Sequence, residues 1–123
     1  MIDFKNATII KLHDAPGACR DELEQVLVDG EQIVSSYKAM RDGVVFTNKR
    51  IFVINIQGLT GVKKDITSLP YSKIQAFSVE TAGVFDRDSE LDLWFSALGK
   101  VRFEFTGKTN ISVICKIIGS YAL

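Results

Sequence analysis

The chain has 123 residues, of which 46% are hydrophobic and 24% are charged, as is ordinary for one globular domain. Basic and acidic residues balance at 15 each, which removes the simplest electrostatic case for binding nucleic acid. No stretch approaches the roughly 18 apolar residues of a membrane span, and the N-terminal region lacks the apolar core of a signal peptide. We therefore expect a cytoplasmic protein.

The N-terminal part of the chain predicts an arm and then a short helix. Residues 1–18 look irregular, so we expect an arm over 1–18 and a single domain over 19–123. The segment CRDELEQVL has acids near its start and ends before Asp29-Gly30. Helical spacing places four of its apolar residues on one face: Cys19, Leu23, Val26 and Leu27.

From Glu31 onward the hydrophobic period changes to two, which predicts strands. Asp42-Gly43 is a tight-hairpin signal, because both turn positions favour positive φ. VVF and IFVINI then lie on either side of the tetrad Thr47-Asn48-Lys49-Arg50. Because Asn48 tolerates the left-handed region, the tetrad predicts first of all a turn between two strands.

The middle of the chain continues as strands. Gln57-Gly58 with Gly61 predicts a reversal, and the charged segment VKKDITSL that follows suits a protected sheet edge ending at Pro70. SKIQAFSV predicts another strand and ETAGVFDRDS a longer loop. In ELDLWF and VRFEF every second residue is apolar, so we expect one face of each strand to point inward.

A second helix is predicted over ISVICKIIGSYAL, capped by Thr109 or Asn110. Its main apolar stripe comprises Ile111, Ile114, Cys115, Ile118 and Ala122. Cys115 therefore reads as a small buried hydrophobe, distant in sequence from Cys19. Val113 and Ile117 lie off the stripe and widen the apolar arc, which indicates a second contact with another subunit.

About seven antiparallel strands followed by one helix predict a mainly β fold. We expect a β-barrel or split barrel built from two orthogonal sheets and capped by the C-terminal helix, with a short N-terminal helix.

Several separate short motifs of the sequence resemble those of the bacterial pleckstrin-homology (PH) domain family. They are Asp42 with FTNKRI, QGLTG, PYSKI, FSVETAG, FDRDSEL and LW, preceded by LVDGEQI at 27–33. The resemblance covers residues 27–123 and implies the PH-like split barrel, a cytoplasmic protein without enzymatic activity, and ring-like homo-oligomers. The eukaryotic relatives carry a hallmark Trp in their capping helix, whereas Trp94 lies in a predicted strand here.

Eukaryotic relatives hold an inositol phosphate between their first two strands with Lys and Arg side chains. The corresponding stretch YKAMRDGVVF supplies Lys38 and Arg41 but closes tightly at Asp42-Gly43. Such a phosphate needs several converging donors, so specific phosphoinositide binding is disfavoured. A basic patch could still contact an anionic membrane weakly, at about 1 kcal/mol per basic residue. The candidate anionic-ligand residues are Lys38, Arg41, Lys49, Arg50, Lys63 and Lys64, with Lys73 nearby in sequence.

Other chemistries have little support in the sequence. Asp86, Asp88, Glu90 and Asp92 alternate as in a calcium loop, but the turn Gly and closing Glu of an EF-hand are missing. The one histidine, His13, has no evident nucleophile or acid near it in sequence. Aromatic residues are spread over many strands instead of gathering among basic ones. We expect no catalytic site, metal, cofactor or nucleic-acid partner.

The apolar surface of IFVINI favours self-association. Phe52, Ile54 and Ile56 cannot share a face with Ile51 and Val53, so the second face needs a cover. Either the N-terminal helix or another copy of the domain must supply it. We predict a homo-oligomeric interaction module, a closed ring, that also contacts other proteins. The candidate interface residues are Phe52, Ile54, Ile56, Val113 and Ile117, and the alternative is peripheral binding to anionic lipid.

Overall fold

The structure, a computed structural model, describes residues 1–6, 8–85 and 87–123. A 3-10 turn over Tyr71–Lys73 separates two strands of the sheet. The α-helices and strands, in chain order, are β1 (Ile9–Asp14), α1 (Arg20–Glu24), β2 (Ile33–Lys38), β3 (Asp42–Thr47), β4 (Arg50–Gln57), β5 (Lys63–Pro70), β6 (Ile74–Glu80), β7 (Ser89–Phe95), β8 (Gly99–Phe105) and α2 (Ile111–Ala122).

The eight strands form one open sheet in the order β5-β4-β3-β2-β1-β8-β7-β6. Neighbouring strands are antiparallel except β1 and β8, which are parallel. Strand β1 thus joins one half-sheet, β2–β5, to the other, β6–β8. The predicted mainly β fold with a C-terminal helix is confirmed. Within the described residues the sheet has eight strands, where we predicted about seven, and it is not closed into a barrel.

The extra strand is β1, within the segment predicted to be an irregular arm. Its side chains do not alternate: Ile9 and Leu12 are buried, three residues apart, and the two residues between them are exposed. The pairing with β8 shifts register between Ile9 and Leu12, and Lys11 has a φ of 59°. This irregularity removes the period of two by which a strand is recognised. The prediction of an irregular arm was wrong for residues 9–14.

The main core lies between the half-sheets and α2. The Asn110 side chain caps α2 by accepting a hydrogen bond from the Ser112 N–H at 3.1 Å. The buried residues of α2 are Ile111, Ile114, Ile117 and Ile118. Full burial of such a side chain stabilises the fold by about 1.5–3 kcal/mol. Ile117 therefore belongs to the core of its own chain. Cys115 is only half-buried, so the prediction of a small buried hydrophobic residue was wrong.

A second, smaller core lies on the opposite face of β3 and β4. Val45, Phe52 and Ile54 pack there beneath Leu23 of α1, and all four side chains are buried. Cys19, Leu27 and Ile33 surround this cluster. Strand β4 is therefore apolar on both faces because each face lies against its own core. Of the two predicted covers, the N-terminal helix is the one that occupies this face.

The first hairpin turn lies earlier in the chain than the sequence indicated. The chain reverses over residues 39–41, and Gly43 pairs with Lys38 inside the hairpin without a positive φ. A Cβ at position 43 would approach Cys19 Sγ to 2.6 Å. Asp42-Gly43 is therefore not the turn. Position 43 is glycine because Cys19, the residue before α1, packs against it. The predicted reversal at Gly58 and Gly61 is confirmed, since both have positive φ.

Candidate functional site

The tetrad Thr47–Arg50 forms the predicted turn between β3 and β4. Asn48 stabilises it with its side chain and does not adopt positive φ. Its Oδ1 accepts from the Gln32 N–H at 2.8 Å, and its Nδ2 donates to the Gly30 carbonyl at 3.0 Å. The turn is therefore tied to the chain segment that enters β2.

Arg50 is fully engaged inside the molecule. Its guanidinium donates to both carboxylate oxygens of Glu31, at 3.0 and 2.8 Å, and to the Val26 carbonyl at 2.9 Å. A further bond reaches Ser68 Oγ at 3.1 Å, and the guanidinium carbon lies 4.2 Å from the centre of the Phe52 ring. Arg50 thus fastens the end of α1 to β4 and β5, and it has little freedom to bind a ligand.

The Glu31 carboxylate is inaccessible to solvent, and Thr47 Oγ1 also donates to it at 2.7 Å. Burial favours the neutral acid, but the hydrogen bonds from Arg50 and Thr47 outweigh burial and hold the pKa of Glu31 below its usual value. The ion pair between Glu31 and Arg50 is therefore a structural element of the fold.

The remaining basic residues do not form the single patch that the sequence suggested. Lys49 is exposed at one end of β4, whereas Lys63 pairs with Gln57 at the other end. Seven residues separate Arg50 from Gln57, roughly 23 Å along a strand. Lys64 forms an ion pair with Glu22 at 2.6 Å. Lys73 lies in the 3-10 turn, beyond the end of β5 that carries Pro70.

Three of the predicted cations lie near the other end of the β2–β5 half-sheet. Lys38, Arg41 and Lys63 lie where β2, β3, β4 and β5 all begin or end. Arg41 donates to the Gly58 carbonyl at 3.1 Å, which joins the two loops there. These loops also carry three strongly exposed apolar side chains, Met40, Leu59 and Val62. We call this region the loop tip.

The predicted interface residues are mostly hidden within the chain. Phe52 and Ile54 are 1% and 2% exposed beneath α1, and Ile117 is 8% exposed in the main core. They cannot serve as a contact surface without unfolding part of the domain, so their assignment to an interface was wrong. Ile56 is half-buried, and Val113 is 46% exposed on α2.

Two of the acidic residues that resembled a calcium loop, Glu90 and Asp92, lie in β7. Asp86 lies outside the described residues. Asp92 accepts two hydrogen bonds from Arg102, at 2.8 and 3.0 Å, and Glu90 lies 3.3 Å from the same guanidinium. Within residues 1–6, 8–85 and 87–123, no cluster of His, Cys, Asp and Glu has the geometry to hold a metal ion.

The outer face of β6–β8 carries a regular grid of exposed or half-exposed side chains that the sequence analysis did not single out. Strand pairing places them in three rows across the three strands. The first row is Ala76, Trp94 and Lys100; the second is Ser78, Asp92 and Arg102; the third is Glu80, Glu90 and Glu104. Strand alternation could have revealed which residues of each strand face outward. Only the pairing register shows which of them lie side by side on neighbouring strands.

The grid is electrostatically polarised. Arg102 holds the pKa of Asp92 below its usual value through their hydrogen bonds. Burial raises the pKa of Glu90, and the neighbouring Glu80 and Glu104 reinforce that shift against the opposing charge of Arg102. One end of the face is thus aromatic and cationic, and the other end is acidic.

The fold and its C-terminal helix define the class of this protein. The family model for the bacterial PH domain matches residues 3–122, and the chain belongs to this family. The match includes the segment that forms β1, which the sequence resemblance left out.

Individual relatives agree with this assignment. The chain is 41% identical over 108 residues to the uncharacterised protein YjqA of Bacillus subtilis, covering 86% of each chain. It is 36% identical over 97 residues to YozO of the same organism, covering 79% of this chain and 83% of the relative.

Solved structures share the fold. A pleckstrin-homology domain protein of the DUF1696 family from Shewanella loihica superposes with a TM-score of 0.80 at 38% identity, covering 92% of this chain and 98% of the other. A pleckstrin-homology domain from Shewanella amazonensis gives a TM-score of 0.68 at 41% identity, covering 96% and 93%. In the part of the chain that the structure describes, no helix is long and apolar enough to cross a membrane.

Proposed function

We propose that this chain is a cytoplasmic, non-enzymatic interaction module that self-assembles through the free edge of β6. Domains of this family are typically non-enzymatic. The observation that carries the proposal is the contrast between the two free edges of the sheet. Strand β5 bears Lys63, Lys64 and Asp65 and ends at Pro70, so it disfavours pairing with a like-charged strand such as β5 of another copy. Strand β6 is uncharged from Ile74 to Val79 and contains no proline.

A shallow groove of about 270 Å³ lies beside the β6 edge, and its lining residues are Ala76, Phe77, Ser78, Asp92, Leu93, Trp94 and Lys100. An added strand gains main-chain hydrogen bonds from an open edge, and such a groove accepts its alternate side chains. The β6 edge therefore has both features that strand addition requires.

A second copy of the chain fits this edge through its β5 strand. Because β5 and β6 are different strands, such a contact is head-to-tail, and its repetition can close a ring. Antiparallel pairing would run the basic start of β5 toward the acidic end of β6, bringing Lys63 of one copy near Glu80 of the next. This contact replaces the Phe52, Ile54 and Ile117 interface that the sequence suggested.

The test is the mass in solution, measured by light scattering at micromolar concentration. We expect the unmodified chain to assemble and Ser78→Lys, on the β6 edge, to be monomeric, because a lysine there opposes pairing. Ser120→Lys, on the exposed side of α2, makes the same change away from both edges and should leave the mass unchanged. An unmodified chain that is monomeric at this concentration would overturn the proposal.

A further variant distinguishes head-to-tail assembly from a symmetric dimer. Ile66 is 37% exposed on β5, so Ile66→Lys should abolish a ring built from β5 and β6. If Ile66→Lys assembles normally while Ser78→Lys does not, β6 pairs with β6 and the ring is wrong. Circular dichroism of each variant shows that the fold is retained.

The loop tip favours a second candidate, peripheral binding to an anionic bilayer. Apolar side chains surrounded by cations suit the membrane interface, and Met40, Leu59 and Val62 stand beside Lys38, Arg41 and Lys63. We expect salt-sensitive co-sedimentation with vesicles of phosphatidylglycerol, weakened by Leu59→Asp and by Lys63→Glu. The matched control is Lys49→Glu at the other end of β4. Equal loss with Lys49→Glu, or no sedimentation of the unmodified chain, would exclude this candidate.

A further inference from the structure

A surface cavity of about 540 Å³ lies beside Trp94, on the side away from the β6 edge. We call it the Trp94 cleft. Its volume falls within the range of small-molecule sites. The lining residues are Phe4, Lys5, Thr8, Trp94, Leu98, Gly99, Lys100 and Arg102.

Three separate segments build the cleft. Phe4 is 6% exposed and anchors the N-terminal turn in the main core, which sets Lys5 and Thr8 beside the sheet. Trp94 and Lys100 are direct cross-strand neighbours at the end of β7 and β8 where the hairpin turns. The walls are therefore held by the fold, and the indole of Trp94, which is 50% exposed, forms an apolar surface between them.

The cleft concentrates positive charge. Within the described residues, the ammonium groups of Lys5 and Lys100 make no ion pair within 4 Å. The Asp3 carboxylate, adjacent to Lys5 in sequence, accepts instead from the Lys5 backbone N–H and the Asn6 side chain. The Arg102 guanidinium is directed at Asp92 and Glu90, so two lysines and the Thr8 hydroxyl are the donors left for a ligand.

We propose that the Trp94 cleft binds a small aromatic phosphate, such as a nucleoside monophosphate. Two lysine ammonium groups match the roughly double negative charge of a phosphate monoester better than the single charge of a carboxylate. The flat ring of the ligand stacks on the indole, a contact that tolerates many ring types. Trp94 and Lys100 also line the groove beside the β6 edge, whereas Lys5 and Thr8 belong to the cleft alone.

The acidic row of the same face disfavours anionic ligands that extend along the sheet. Glu104 lies four residues beyond Lys100 on β8, roughly 13 Å along the strand, beside Glu90 and Glu80. These carboxylates repel the further phosphates of a nucleic-acid strand extending along the sheet. The cleft therefore selects a mononucleotide over a polynucleotide.

The single tryptophan of the chain makes the site directly observable. A nitrogen–proton correlation spectrum contains one indole N–H signal, and that signal belongs to Trp94. We expect adenosine monophosphate to shift it saturably, and adenosine or inorganic phosphate alone to bind at least about tenfold more weakly, since each supplies half of the contacts. No saturable shift with adenosine monophosphate would overturn the proposal.

Variants then assign the phosphate donors. Lys5→Ala and Lys100→Ala should each weaken binding by about tenfold, as expected for the loss of a charge-assisted hydrogen bond. Lys49→Ala removes an exposed lysine from the other half-sheet and should leave binding unchanged. If the three variants bind alike, or if adenosine binds as tightly as its monophosphate, ligand recognition does not use the lysines and the proposal fails.

Discussion

The two halves of the sheet differ in how their outer faces are used. On the β2–β5 half, α1 covers the outer face, and Phe52 and Ile54 are as buried there as residues of the main core. On the β6–β8 half, the outer face is open, and its three rows run from Trp94 and Lys100 to a line of glutamates. Side chains on the first face are held by packing, whereas those on the second are available to a partner. Excess apolar character in a strand therefore does not by itself identify an interface.

Truncating one large aromatic residue on each half should give the greatest contrast. We expect Phe52→Ala to lower the free energy of unfolding by about 3–5 kcal/mol, because it leaves a cavity under α1. Trp94→Ala should cost less than about 1 kcal/mol in the monomer, since half of that side chain is already wet. Denaturant unfolding of both variants measures the difference. Equal losses would show that the outer face of β6–β8 is also a packed core.

The ion pair on the β2–β5 half should contribute to stability in a way that depends on pH. Glu31→Gln should destabilise the fold by about 2 kcal/mol, because it weakens the charge-assisted hydrogen bonds from Arg50 and Thr47. The folded-state pKa of Glu31 lies below its usual value of 4.5, so this contribution is present at neutral pH and is lost as the pH falls through the folded-state value.

The same unfolding experiment repeated between neutral and acid pH checks this sign. Glu31→Gln should flatten the loss of stability on acidification relative to the unmodified chain. An unchanged acid profile would mean that Glu31 is not a main source of the pH dependence.

A smaller effect tests the contact between the α1 entry and β3. Gly43→Ala should destabilise the fold by about 1–2 kcal/mol, because its Cβ would meet Cys19 Sγ. The backbone at position 43 has no positive φ, so conformational strain is not involved. Cys19→Ala should remove most of the cost in the double variant, and a double-mutant cycle measures that coupling. Additive costs would show that another contact excludes the side chain.

The smallest expected effect concerns the glutamate row. Glu80→Gln should stabilise the fold by about 0.2–0.5 kcal/mol, because it removes a like charge directly opposite Glu90. Burial is the main reason that the pKa of Glu90 is raised, and the charges of Glu80 and Glu104 raise it further. The contribution of Glu90 is therefore present below its unfolded-state pKa and is lost as the pH rises through the folded-state pKa. A carboxyl titration followed by NMR should show a lower Glu90 pKa in Glu80→Gln, and an unchanged value would contradict the proposed repulsion.

Local signals were sufficient for most of the strands and for α2. Alternation identified β7 and β8 with the correct inward faces, and the caps and apolar stripe located α2. Strand β1 escaped detection because its bulge at Lys11 spaces the buried residues by three. The Asp42-Gly43 pair misled because a glycine can be required by a distant neighbour, here Cys19, as well as by a turn.

The functional residues were harder to predict because a charge or an apolar side chain acquires its role from what packs beside it. The sequence alone determined a two-faced apolar β4 and a basic turn after β3, since these depend on spacing along the chain. Only the tertiary structure decided that Arg50 binds Glu31, which lies 19 residues before it, and that α1 covers Phe52. It also placed Lys5 beside Trp94 and Lys100. Such long-range contacts depend on strand register and on closure of the half-sheets, which no local pattern of residues encodes.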